Sequence, residues 1–332
     1  RIRQKVVPKG IESFYKLAAA TARMLPEARV ERHGVEVIAE LDYAGSGEPH
    51  HRLDVYKPVG PHHRLPIVLY VHGGAFRSLS KDTHWVMGLA WARAGYLVFT
   101  VNYRLAPEHR YPAACEDIAT AWAWVVSHAD QFGGNLDRVV VSGESAGGNL
   151  ATVISIAACV RRPEPWAQAI YDKGVVPKVA VPACAVLQVS DPGRWSRRRN
   201  EAGKKAPGMV QSVLDNTYAV YSGNAPRGPE SREAHGLMDP LVVLEELSPD
   251  DLGDRPLPAF FLPVGTADPL LDDHRRMETA LARLGTTAVA AYYPGMEHAF
   301  HAFVKRPEAR RLWQETFAFC AAHLPPAQTP KS

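Results

Sequence analysis

VVVSGESAGGNL, residues 139–150, decides how this chain is read. An apolar run breaks at Gly143-Glu144-Ser145-Ala146-Gly147, a G-x-S-x-G pattern, and NLATVIS behind it has the texture of a helix. Strand, sharp turn, helix is the setting in which this pattern forms a nucleophile elbow. The serine then sits at strained backbone angles, at a cost of about 1–3 kcal/mol. Side chains two positions before and after it would collide, so glycine occupies both places. The N-terminus of the following helix favours negative charge developing beside Ser145. Without its flanks the pattern would be an ordinary glycine-rich turn.

The neighbourhood repeats the same texture. LPIVLYVH (65–72) and YLVFTVNY (96–103) are continuous apolar runs, as expected of strands covered on both faces. HWVMGLAWARAG (84–95) and AACEDIATAWAWVVSHAD (113–130) read as helices between them. VAVPACAVLQV (179–189), PAFFLPVG (258–265) and AVAAYYPG (288–295) continue the strands. DDHRRMETALARLG (272–285) and EARRLWQETFAFCAAHL (308–324) continue the helices. Alternation of this kind predicts an α/β fold with a mostly parallel sheet and helices on both faces. Upstream, ARVERHGVEVIAEL (28–41) and HRLDVYKPVG (51–60) alternate like antiparallel strands around a GSGEPH turn, and 11–25 has helical spacing. Residues 190–245, rich in Gly, Pro and charge, are too long for a simple loop. They read as an insertion over the C-terminal edge of the sheet, where ligands bind in such folds.

Composition narrows the function. With 38 basic against 35 acidic residues, the near-neutral charge argues against a nucleic-acid partner. No apolar run reaches the ~18 residues of a membrane span. The four cysteines form no C-x-x-C pair, so buried free thiols are expected. The chain opens RIRQKVVPKG, with no Met and no signal-peptide core. A trimmed N-terminal segment and a cytoplasmic location are the expectations.

A serine hydroxyl needs a base to take its proton, and the base needs an acid to hold its tautomer. In an elbow fold these partners follow in the order Ser, acid, His, on loops after later strands. Asp268 stands just beyond one predicted strand and His298 just beyond the next. Asp272 and Asp273 fall in a first helical turn, where acids commonly cap. His301 reads as a surface or packing residue. Glu144, beside the nucleophile, reads as a hydrogen-bonding support for nearby loops.

HGGAF, VNYRLAPEHRYPAACED, VSGESAGGNLA, GTADPLLDD and GMEHAF, in order from about residue 65 to 305, together resemble the hormone-sensitive-lipase-like branch of the α/β-hydrolases. The resemblance implies an eight-stranded sheet and a cap over the site. It divides the chain into an N-terminal cap segment (1–45), a first core part (46–189), a cap insertion (190–245) and a second core part (246–332). It implies a Ser145-Asp268-His298 triad, with Gly73, Gly74 and Ala146 N–H groups as the oxyanion hole. Arg104, Pro107 and Glu108 are expected to brace the loop beneath. Short- to medium-chain acyl esters would be the substrates, with no cofactor or metal and a homodimer as the assembly. Phe76, Trp195, Met209 and Tyr218 are candidates to line the pocket, with Phe14, Tyr15 and Tyr221 beside them. The basic run RWSRRRNEAGKK (194–205) is expected as a solvated face of the cap. Where the family often has a third glycine, this chain has Ala75, whose methyl is expected to spare the hole and narrow its mouth. An acyltransferase, an amidase or a silent ligand-binding protein would share the scaffold, and the residues alone leave these open.

Overall fold

The computed structural model describes residues 28–62, 64–201, 208–223 and 236–326, with 17, 19–21, 23 and 24 of the N-terminal stretch. The strands are β1 Val35–Asp42, β2 Arg52–Pro58, β3 Leu65–Val71, β4 Leu97–Val101, β5 Gly134–Glu144, β6 Val179–Ala183, β7 Ala259–Gly265 and β8 Ala288–Tyr293. They form one eight-stranded sheet in the order β1-β2-β4-β3-β5-β6-β7-β8. β1 pairs antiparallel with β2, and β2 antiparallel with β4; every later pairing is parallel. The apolar runs supply the middle of the sheet. Leu69, Phe99 and Val141 are fully buried, whereas edge strand β8 leaves Val289 46% exposed.

The helices are α1 Trp85–Arg93, α2 Ala113–His128, α3 Ala146–Cys159, α4 Pro165–Tyr171, α5 Arg194–Glu201, α6 Gly208–Tyr221, α7 Pro240–Glu246, α8 Leu271–Arg283 and α9 Pro307–His323. Alternate strand residues feed opposite faces. Leu69, Val71, Phe99 and Val141 join a core with α2, α3 and α8. Val68, Tyr70, Val98 and Val140 join a second core with α1 and α9, in which Trp91 meets Trp313 and Phe317 edge-on. Every residue of α3 is buried, so this helix lies wholly inside the molecule. Among the described residues no helix is long and apolar enough to cross a membrane.

One sequence expectation shifts here, and a second lies mostly outside the described residues. β1 lies inside 1–45, which the sequence reading took as cap, yet it is hydrogen-bonded into the sheet as its edge strand. Its backbone bonds to β2, while Val35 and Val37 turn into the core shared with α1 and α9. The helix expected over 11–25 falls mostly outside the described residues, Phe14 and Tyr15 with it.

The insertion is tied down at several points. The Arg194 guanidinium donates through Nε and Nη2 to the two oxygens of Asp273, at 2.9 and 2.6 Å. Asp273 also accepts from Leu187 N at 2.9 Å, so it ties the insertion to the core and does not cap its own helix. Arg194 is accordingly part-buried, where a solvated basic face was expected of 194–205; Arg197 is exposed as expected, and the side chains of 198–205 lie outside the described residues. Tyr221, at the end of α6, stacks on Phe76 with centroids 3.9 Å apart and planes 6° from parallel.

The elbow is where the fold is tightest. A Cβ on Gly147 would stand 2.0 Å from Val71 O, and one on Gly143 2.4 Å from Gly147 O. Neither neighbour is a flexible side-chain end; both are backbone. Gly147→Ala should therefore destabilise the protein by about 3 kcal/mol or more, read as a lowered midpoint of urea unfolding. A midpoint equal to the parent's would contradict the close approach.

Candidate active site

Strands β3, β5, β6, β7 and β8 run parallel, so their C-terminal ends share one edge. Ser145 follows β5 at φ 53, ψ −116, a conformation that L side chains rarely adopt. It is the N-cap of α3, and Ala146 is the first helical residue, whose amide has no partner within the helix. Ser145 N donates to Ala183 O at 3.0 Å and Ser145 O accepts from Val186 N at 3.2 Å, which pins the turn to the end of β6.

Asp268 follows β7 and His298 follows β8. His298 Nδ1 donates to Asp268 Oδ2 at 2.9 Å. Asp268 Oδ1 accepts from Leu270 N at 2.8 Å, which fixes the carboxylate. The Asp268 side chain is fully buried while that of His298 is 36% exposed, so the acid is hidden and the imidazole reaches the open side. Burial opposes charge on His298, but the Asp268 carboxylate outweighs it and raises the imidazole above its ordinary range.

The loop after β3 lies beside the elbow because Val71 pairs with Gly143 in register. Gly73 lies against Glu144: a Cβ there would be 3.0 Å from both Glu144 O and Oε1. Gly74 has φ 118, and a Cβ on it would be 2.0 Å from Ser78 O. Its carbonyl accepts from Arg77 N and Ser78 N, both at 3.1 Å, and so closes the turn. Ala75 sits at φ 55 and Phe76 at φ 59. The left-handed backbone explains why glycine suits position 75; an alanine there costs about 1–2 kcal/mol.

His72 is no base. It is 1% exposed, its Nδ1 donates to Gly73 O at 2.7 Å, and burial pushes it down to about 3. It stacks on Tyr103 at 4.4 Å, whose hydroxyl donates to His72 O at 2.9 Å. These contacts anchor the loop that follows β3.

Glu144 has more partners than the sequence suggested. His84 Nε2, at the start of α1, donates to its Oε1 at 2.9 Å, and His301 Nε2 stands 3.0 Å from its Oε2. Burial opposes its charge, but the two imidazoles outweigh burial and hold Glu144 well below the usual carboxylate range. His301 is buried, three residues beyond His298. One carboxylate thus joins the elbow, the Gly73 loop, α1 and the His298 loop.

Arg104 braces as expected, with Nε 2.9 Å from Asp117 Oδ1 and Nη2 2.8 Å from Glu116 Oε2 on α2. Pro107 and Glu108 do not; both are exposed. The link from this loop to the glycine loop is instead Ala106 N donating to Phe76 O at 2.8 Å. Of the pocket candidates, Phe76 and Tyr218 are buried in packing, at 0% and 2% exposed. Trp195 lines a cavity of about 240 Å³ with Pro269 and Asp272. Met209 is on α6, with its side chain outside the described residues. Cys184, immediately after β6, was missed by the sequence reading. Its strand-end position, shared with Asp268 and His298, was the available signal.

Residues 68–302 match the alpha/beta hydrolase fold family. The chain belongs to this family. It is 30% identical over 278 residues to carboxylesterase NlhH of Mycobacterium tuberculosis, covering 83% of this chain and 77% of that one. It is 34% identical over 161 residues to mouse hormone-sensitive lipase, covering 47% of this chain and 19% of that one. The hyperthermophilic esterase of Pyrobaculum calidifontis superposes with a TM-score of 0.70 at 25% identity, over 96% of this chain and 92% of that one. Esterase LipW of Mycobacterium marinum gives 0.69 at 25% identity, over 97% and 90%. The resemblance to the hormone-sensitive-lipase-like branch therefore holds.

A buried polar group left without its hydrogen-bond partner costs about 1–3 kcal/mol, and more for a charged one. Glu144→Gln, which leaves two imidazoles facing an amide, should lose stability on that scale, measured by denaturant unfolding. A loss under about 1 kcal/mol would place Glu144 among ordinary surface pairs.

Proposed function

We propose that this carboxylic ester hydrolase cleaves short- to medium-chain acyl esters through Ser145, His298 and Asp268, by way of an acyl-enzyme. The observation that carries the reading is the 2.9 Å bond from His298 Nδ1 to a buried Asp268, on the sheet edge that presents the strained Ser145. His298 takes the Ser145 proton as the hydroxyl attacks the ester carbonyl. Asp268 holds the tautomer and offsets the charge that develops on the ring. The oxyanion rests on the N–H groups of Gly73, Gly74 and Ala146; one such donor is worth about 2.7–4 kcal/mol in a comparable site. His298 then protonates the leaving alcohol, and water repeats the sequence to release the acid.

The stacked Phe76 and Tyr221 fill the space behind the glycine loop, which favours short acyl groups over long ones. Four buried free cysteines fit the cytoplasmic setting expected from the sequence. The homodimer, if formed, would use the open β8 edge, where Val289 and Tyr292 are 46% and 36% exposed.

Ser145→Ala should lower kcat for p-nitrophenyl butyrate by at least about 10⁴-fold. Hydrolysis at the parent's rate would sink the assignment, and faster turnover of the matching anilide would move it to an amidase. The pH profile is a second check. A base must be neutral to accept a proton, and Asp268 raises His298 above the ordinary 6.5. So kcat/KM should climb with pH along a limb on the alkaline side of that value, and Asp268→Asn should move the limb to lower pH.

A further inference from the structure

Cys184 takes no part in ester hydrolysis as described above, yet it stands against the residues that do. It directly follows β6 with φ 37, a left-handed backbone that carries strain in a non-glycine residue. Its N–H donates to Pro263 O at 3.0 Å, which draws it toward β7, and Val264 and Ala299 pack around it. The thiol sulfur, a ring nitrogen of His298 and a carboxylate oxygen of Asp268 all lie within 4.8 Å of one another.

We propose that Cys184, His298 and Asp268 form an inhibitory binding site for a borderline or soft divalent cation, Zn²⁺ above all, which reversibly withdraws the imidazole from catalysis. The inhibitory part rests on the reading of His298 as the base; the binding part does not. Sulfur, imidazole and carboxylate are the three ligand types that Zn²⁺ accepts in proteins. With bonds of 2.0–2.3 Å, a tetrahedral ion holds its ligands about 3.5 Å apart, so the cluster closes on it with side-chain shifts of about 1 Å. Water takes the fourth position. Charge balances as well: a thiolate and a carboxylate neutralise the ion, which a buried site requires. The exposed side of His298 is the route in. Coordination at Nδ1 replaces the bond to Asp268, and coordination at Nε2 occupies the lone pair that must accept the serine proton. Either stops turnover.

The second acidic group among the described residues behaves differently. Glu40, Asp54 and Asp82 also converge, but Lys81 Nζ already fills that cluster, 2.9 Å from Asp54 Oδ1. Its oxygens have their cation; the Cys184 cluster has none built in.

Binding releases the thiol proton to solvent, and a second proton where His298 starts as imidazolium.

The test titrates ZnCl₂ into the esterase assay for the parent, Cys184→Ala, Cys184→Ser and Cys184→Gly, each scored against its own metal-free rate. Glycine tolerates the left-handed backbone, so at least one variant should fold. Micromolar Zn²⁺ should inhibit the parent, EDTA should restore the rate, and Mg²⁺, which prefers oxygen ligands, should do nothing. Losing the thiol should raise the half-inhibitory concentration at least about tenfold. Calorimetry on Ser145→Ala should still give one equivalent of Zn²⁺, so a failed esterase reading leaves that result untouched. Equal inhibition of parent and Cys184 variants, or no Cys184-dependent equivalent in calorimetry, would overturn the proposal.

Discussion

The backbone of Gly147 passes so close to Val71 O that even a methyl group would sit 2.0 Å away, and much of the molecule follows from that approach. It lets β5 turn into α3 without a linking loop, which forces Ser145 into φ 53, ψ −116. Strain of this kind costs about 1–3 kcal/mol. Here it is offset by a helix whose residues are all buried and by a neighbouring strand in register, Val71 against Gly143. The same register sets the His72–Gly74 loop beside the nucleophile. The position of the Gly73–Gly74 amides is thus set by strand pairing.

Two acid–imidazole sets share this edge of the sheet, and exposure separates their roles. Asp268 and His298 form one, with the imidazole 36% exposed. Glu144 with His84 and His301 forms the other, closed off from solvent. Of these rings, only that of His298 reaches the open side of the sheet edge. The enclosed set holds together the four segments that carry the site. His72 and His274, which burial keeps neutral, serve as backbone hydrogen-bond partners, to Gly73 O and from Ala185 N.

The insertion is joined to the loops at this sheet edge at two points, one of them in the basic run expected as a solvated face. Arg194 reaches Asp273 on α8, a few residues past Asp268, and Tyr221 stacks on Phe76 in the glycine loop. The insertion thus packs directly on the glycine loop after β3. Phe76 itself adopts φ 59, a strained position held by the stack and by the bond from Ala106 N to its carbonyl.

Much of this was legible in one dimension. The elbow, the α/β alternation and the strand-end positions of Asp268 and His298 are local patterns, set by apolar periodicity and by the few residues that fit a sharp turn. These signals survive in a linear string because neighbours along the chain cause them. Other features join residues far apart: Glu144 with His84 and His301, Asp273 with Arg194, and Cys184 with His298 and Asp268. Their side chains carry no periodic signal, so texture left His301 as a packing residue, Asp273 as a cap and Cys184 as an inert thiol. The sequence by itself determined which chemistry this protein carries and at which strand ends. Only the tertiary structure decided which histidine is open, which acid is enclosed and which thiol stands against the triad, because burial and contact arise only when the strands close into one sheet.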